Sequence, residues 1–65
     1  MIRESIEALV NKHNLSDTQS SQVMVEIMSG EATQAQFGAF VTAMRLKGET
    51  PDEIAGMAKV MRDKS

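Results

Sequence analysis

Three helix-start signals, evenly spaced along the chain, constrain what it can fold into more than any other feature. Ser16, Thr33 and Thr50 are each followed three residues later by Gln19, Gln36 and Glu53, and each precedes a stretch with apolar residues at helical spacing. In such a capping box the hydroxyl accepts from the amide at the third helical position. The later side chain reaches back to accept from the cap's own amide. Pro51 follows Thr50 at a first helical position, where its missing N–H costs nothing and its fixed φ suits the helix. The even spacing could signal an internal repeat, but successive helices of similar length look alike anyway, and repeat arrays need several stacked units.

The stop signals match the starts. Gly30 and Gly48 lie just after apolar runs, where glycine suits the left-handed residue that closes a helix. Arg45 and Lys47 place positive charge at the negative end of the third helix. Asn14 is read as closing the first helix, with Lys12 and His13 in its last turn. The pattern therefore predicts an all-α chain, a compact bundle of four short helices near 2–13, 17–29, 34–47 and 51–63.

With 65 residues there is room for one domain, 1–65, and little more. A domain of this size buries only about 60% of its unfolded surface, so its own core is marginal. No cysteine is present to staple it, and the single His13 leaves no multi-histidine metal site. The net charge of −2 argues against a nucleic-acid partner, which calls for a basic stripe. No run of about 18 apolar residues is available to span a membrane. Met1 to Ala8 show no basic segment followed by a long apolar stretch, so no secretory signal is expected, and a cytoplasmic location is.

The apolar stripes predict a core of Ile6, Leu9, Val23, Ile27, Phe37, Phe40, Val41, Met44, Ile54, Met57 and Met61. The third helix differs from the others. Phe37, Phe40, Val41 and Met44 occupy one side, Ala35, Ala39, Ala43 and Leu46 another, and Ala35 to Met44 carries no charge. A helix apolar nearly all round is normally covered on several sides, yet so short a chain has too little material to surround it. Val25, Ala43, Leu46 and Val60 are therefore expected to stay partly exposed. Ile2, Val10, Ala39, Ala43 and Leu46 are the candidate interface, on the first and third helices. Gly38 and Gly56, inside helices, are read as points of close approach, since a glycine there costs about 0.5–1 kcal/mol relative to alanine.

The chemistry of a site is missing. Ser20, Ser21 and Ser29 have only His13 as a conceivable base and are read as solvent-facing or capping residues. His13 itself is read as a helix-end residue. Glu4, Glu7, Glu26 and Glu31 lack partner histidines at metal-ligand spacing, and Asp52 and Glu53 fit first-turn acids that complement the helix dipole. The glycines are dispersed rather than gathered into a phosphate loop. No catalytic, cofactor-binding or metal-binding residue is assigned, and the chain alone is expected to be inactive.

The stretch IMSGEATQAQFGAFVTAMRLKGETPDEIAGMAKVMR, residues 27–62, resembles the N-terminal helical domain of the anthranilate phosphoribosyltransferases. The same domain type opens the pyrimidine nucleoside phosphorylases. The run QFGAFVTAMRLKGETPDEI and the later MAKVMR carry the likeness, and RLKGETPDEIAG favours the anthranilate branch. The resemblance implies a parent enzyme that moves phosphoribose from phosphoribosyl pyrophosphate to anthranilate, with magnesium, in tryptophan biosynthesis. It also implies a homodimer built on the helical domain, which packs against a C-terminal α/β catalytic domain. That machinery lies outside these residues, so no catalytic role is carried onto them. The end at Ser65 falls about where such a domain hands over to the larger one. The helical domain of a pyrimidine nucleoside phosphorylase, or a free-standing non-enzymatic dimerisation module, remains open.

Overall fold

The computed structural model describes residues 1–64; Ser65, where the expected hand-over falls, lies outside them. The described residues form an all-α bundle of four helices: α1 Ile2–Val10, α2 Asp17–Met28, α3 Gln34–Lys47 and α4 Pro51–Lys64. They fill a slab of about 30 × 25 × 16 Å. Chain neighbours are not the main packing partners. Instead α2 lies on α4 and α1 on α3, with a smaller contact between α1 and α2.

Each cap acts where its sequence pattern lies. Ser16 Oγ accepts from the Gln19 amide at 3.1 Å while Gln19 Oε1 accepts from the Ser16 amide at 2.8 Å. Thr33 and Gln36 repeat the exchange at 3.1 and 3.0 Å, and Thr50 and Glu53 at 3.2 and 2.8 Å. Gly30 ends α2 at φ 78°; its amide reaches Ile27 O and the Glu31 amide reaches Glu26 O, which satisfies carbonyls the helix leaves free.

The first helix is shorter than expected. It ends at Val10 rather than near residue 13, because Lys12 turns left-handed at φ 64°. The Lys12 amide bonds Leu9 O and the His13 amide bonds Ala8 O, the same closure that Gly30 makes for α2. Lys12, His13 and Asn14 thus lie in the connector, not in the helix, and a left-handed lysine is an unusual way to stop one.

Phe40 sits at the centre of the core, packed with Ile2, Leu9, Leu15, Val23, Ala43 and Met44. Ile6, Ile27 and Met57 pack against that cluster while partly exposed, and Met24 and Val60 are buried as well. Four residues expected in the core lie elsewhere: Phe37, Val41, Ile54 and Met61 are about half exposed. Helical periodicity places them on apolar faces, but no fifth element is present in these residues to cover those faces. Conversely Ile2 and Ala43, expected at an interface, and Val60, expected partly exposed, are buried within the bundle.

The two internal glycines differ in kind. A Cβ on Gly56 would run into the Asp17 carbonyl oxygen and lie 2.9 Å from Ser20 Cβ, so α2 and α4 touch nearly backbone to backbone. Around Gly38 nothing lies within 4 Å, and the close approach expected there does not occur. Ser20, read as a solvent-facing residue, is buried in the Gly56 crossing, and Ser21 Oγ donates to Gly56 O at 3.0 Å.

Candidate interaction surfaces

Two apolar surfaces remain once the bundle is closed. The first is a groove between α1 and α3, lined by Leu9, Val10, Lys12, Ala43, Leu46 and Lys47. Val10 is 65% exposed and Leu46 82%, so two large aliphatic side chains stand in solvent on either side of the buried Leu9 and Ala43. Among the candidate interface residues, Val10, Leu46 and Ala39 are exposed. The second surface lies where α3 meets α4 and α2. Phe37, Val41 and Met57 flank a depression floored by Met24, Phe40 and Met44, with Arg45 and Glu49 at its edge. Ile54 and Met61 continue it along α4, because residues three and four apart share a helix face. Contiguous apolar surface of this sort marks a place where something packs.

Beside the first groove lies a polar hub that sequence reasoning missed. The Glu53 side chain is 0% exposed and that of Lys47 4%, and the two pair at 2.8 Å. Glu53 Oε2 accepts from the Leu15 amide at 2.7 Å, while Oε1 accepts from the Thr50 amide and from Lys47 Nζ, each at 2.8 Å. Lys47 Nζ donates further to Asn14 Oδ1 at 3.0 Å and to Gly48 O at 2.8 Å. One carboxylate on α4 therefore holds the end of α3, the connector before α2 and its own cap. Burial pushes the Glu53 carboxyl up, but the Lys47 ammonium and the Leu15 and Thr50 amides outweigh it and hold the group below the ordinary glutamate value. The spacing Thr50 to Glu53 predicted the cap; nothing local pointed to Leu15, 38 residues away.

The remaining polar groups do not assemble a reactive centre. Glu4, Glu7, Asn11 and His13 line a shallow depression on α1 and its connector, with His13 exposed. Glu4 instead pairs with the terminal amino group at 2.7 Å, and Glu26 approaches the same group at 3.7 Å. Over the Gly56 crossing, Asp17, Lys59 and Arg62 mix both signs of charge in one hollow. Among the described residues, no group of three or more His, Cys, Asp or Glu is placed to hold a metal ion. No helix of the described residues is long and apolar enough to cross a membrane.

A bundle whose α3 is left open on two sides matches a known domain. The sequence profile described as "Glycosyl transferase family, helical bundle domain" matches residues 3–65. The chain belongs to that family. Among its relatives, an anthranilate phosphoribosyltransferase of Chloroflexus aurantiacus is 58% identical over 64 residues, which cover 98% of this chain and 19% of the relative. Another from Dehalococcoides mccartyi is 58% identical over 65 residues, and one from Geotalea daltonii 55% over 65, each covering 100% of this chain and 19% of the relative. This glycosyl transferase bundle thus spans about a fifth of the length of the relatives it matches. No solved structure matches the chain.

Proposed function

We propose that this chain is the N-terminal helical domain of an anthranilate phosphoribosyltransferase, and that it serves assembly rather than chemistry. In this reading the Val10–Leu46 groove is a homodimer contact, and the Phe37–Met61 face packs against a C-terminal α/β catalytic domain. The observation that carries it is the pairing of an uncovered α3 with a family match over residues 3–65, in relatives of which the chain covers only 19%. The parent would transfer phosphoribose from phosphoribosyl pyrophosphate to anthranilate, releasing pyrophosphate, in the cytoplasmic synthesis of tryptophan. Magnesium would serve that parent outside this domain: the described residues bring together no set of ligands that fits it. No step of the reaction is routed through these helices.

The test is to isolate the native polypeptide that begins MIRESIEALV, weigh it and assay it. A mass several times 7.1 kDa, with anthranilate-dependent release of pyrophosphate, is the expected result. Phosphorolysis of a pyrimidine nucleoside instead would move the chain to the phosphorylase branch. A native product of 7.1 kDa would overturn the assignment to an enzyme and leave a free-standing module.

A further inference from the structure

The geometry points to Glu53 as a positioning residue for the Val10–Leu46 surface, acting through Lys47 without itself touching what packs there. This rests on the reading of that surface as the homodimer contact. Val10 is the last residue of α1 and Leu46 lies one residue before the end of α3. Both therefore project from terminal turns, the parts of a helix held least by its own hydrogen bonds. Their spacing depends on what fixes those turns. Beneath them, Leu9 and Ala43 pack in the core. At their margin the fixing is polar: Lys47, itself lining the groove, ties the last turn of α3 to Asn14 in the connector that follows α1.

Glu53 makes that tie rigid. A lysine side chain has several freely rotating bonds, and an ammonium bonded only to Asn14 and Gly48 would not be held to one place. The Glu53 carboxylate, fixed from the other side by the Leu15 and Thr50 amides, gives the ammonium a single buried position. The same carboxylate holds the connector again at Leu15, one residue beyond Asn14. The connector needs such holding, because its turn is made by left-handed Lys12 rather than by glycine. A neutral side chain at position 53 cannot replace it. Glutamine has one acceptor oxygen, whereas here two oxygens serve different amides.

The experiment compares dimer dissociation constants of the complete polypeptide carrying this domain, by sedimentation equilibrium well below its melting temperature. Leu46→Glu, a direct change in the surface, is expected to raise the Kd at least 100-fold. The double variant K47M/E53Q removes both buried charges together, which avoids stranding either one. It is expected to raise the Kd at least tenfold while the melt stays cooperative, and to speed hydrogen exchange of the Leu15 amide tenfold or more. If the double variant does not fold, Asn14→Ala takes its place; it deletes one exposed acceptor and is expected to weaken the dimer several-fold. An unchanged Kd in the folded double variant, or in Asn14→Ala where that stands in, overturns the positioning role, provided Leu46→Glu still dissociates the dimer. Should Leu46→Glu leave the dimer intact, the surface reading fails and the role of Glu53 falls with it.

Discussion

The two helix pairs of this bundle are held together in opposite ways. Between α2 and α4 the helices come close at one point: Gly56 lets the Asp17 backbone and Ser20 approach until no Cβ fits. Between α1 and α3 the contact is made by large side chains, with Ile2, Leu9, Phe40 and Met44 in the core. The first kind of contact depends on the absence of atoms and the second on their presence. Added atoms should therefore weaken the first, and lost atoms the second. The difference also bears on function, because a helix packed through side chains on one face keeps apolar residues to present on another. α3 does so with Leu46 on one side and Phe37 and Val41 on the other.

The largest effect is expected in the pair built on side chains. Phe40 is 1% exposed at the centre of the cluster, and Phe40→Ala should cost about 3–5 kcal/mol. Small domains have about 5 kcal/mol to lose, so the variant should be largely unfolded by circular dichroism at 25 °C. A cooperative melt near that of the parent would show that α1 and α3 are held by something other than this core.

Acid should act next, and on the hub that joins the two pairs. The folded Glu53 carboxyl titrates below the unfolded one, so its contribution is present above the ordinary glutamate value and is lost as pH falls through the lower folded one. Glu4, lowered chiefly by its hydrogen bond with the terminal amino group, adds a contribution of the same sign. Thermal melts at pH 7, 5 and 3 should show little loss in the first interval and a steep loss in the second. In the double variant K47M/E53Q, which strands neither buried charge, the second loss should shrink; an unaltered acid profile there would assign the acid sensitivity to other carboxylates.

Gly56→Ala should destabilise by about 2 kcal/mol, as overpacking against backbone outweighs the helix propensity that alanine restores. For a domain of this size that is a fall in melting temperature on the order of 10 °C. A rise instead would mean that α2 moves aside freely and that the tight crossing is not what holds this pair.

What could be read along the chain was the chemistry that neighbours complete between themselves. Ser16 with Gln19, Thr33 with Gln36 and Thr50 with Glu53 lie within one turn of each other, so their roles as caps are written locally. The burial of Phe37, Val41, Ile54 and Met61 was misread because periodicity reports that a face is apolar, not what covers it. On α3, apolar on nearly every side, it does not even choose a face. The hub escaped for the converse reason: Glu53 looks like any first-turn acid until the fold brings Leu15 and Lys47 to it. The end of α1 was misplaced because nothing in Asn11–Lys12–His13 announces a left-handed residue.

That last point supplies a smaller test, since α1 and α2 end with the same closure but use Lys12 and Gly30 for it. Holding a non-glycine residue left-handed costs roughly 1 kcal/mol. Lys12→Gly should therefore raise stability by up to about that amount, less the greater freedom glycine gives the unfolded chain. A loss of stability would show that the Lys12 side chain, which lines the α1–α3 groove, makes contacts worth more than the strain.

The smallest effect is expected at the other glycine inside a helix, Gly38. Gly38 lies inside α3, exposed, with nothing within 4 Å of where a Cβ would stand. There alanine meets no neighbour and only relieves the entropic cost of glycine in a helix, so Gly38→Ala should stabilise by about 0.5–1 kcal/mol. The same substitution is thus expected to raise the melting temperature at position 38 and lower it at position 56. In the complete polypeptide the sign at 38 becomes informative about function. Gain in the isolated domain but loss in the whole protein would mean that a partner's backbone comes close at Gly38, as α2 does at Gly56. A gain in both would leave that stretch of α3 facing solvent and confine the partners to the Val10–Leu46 and Phe37–Met61 surfaces.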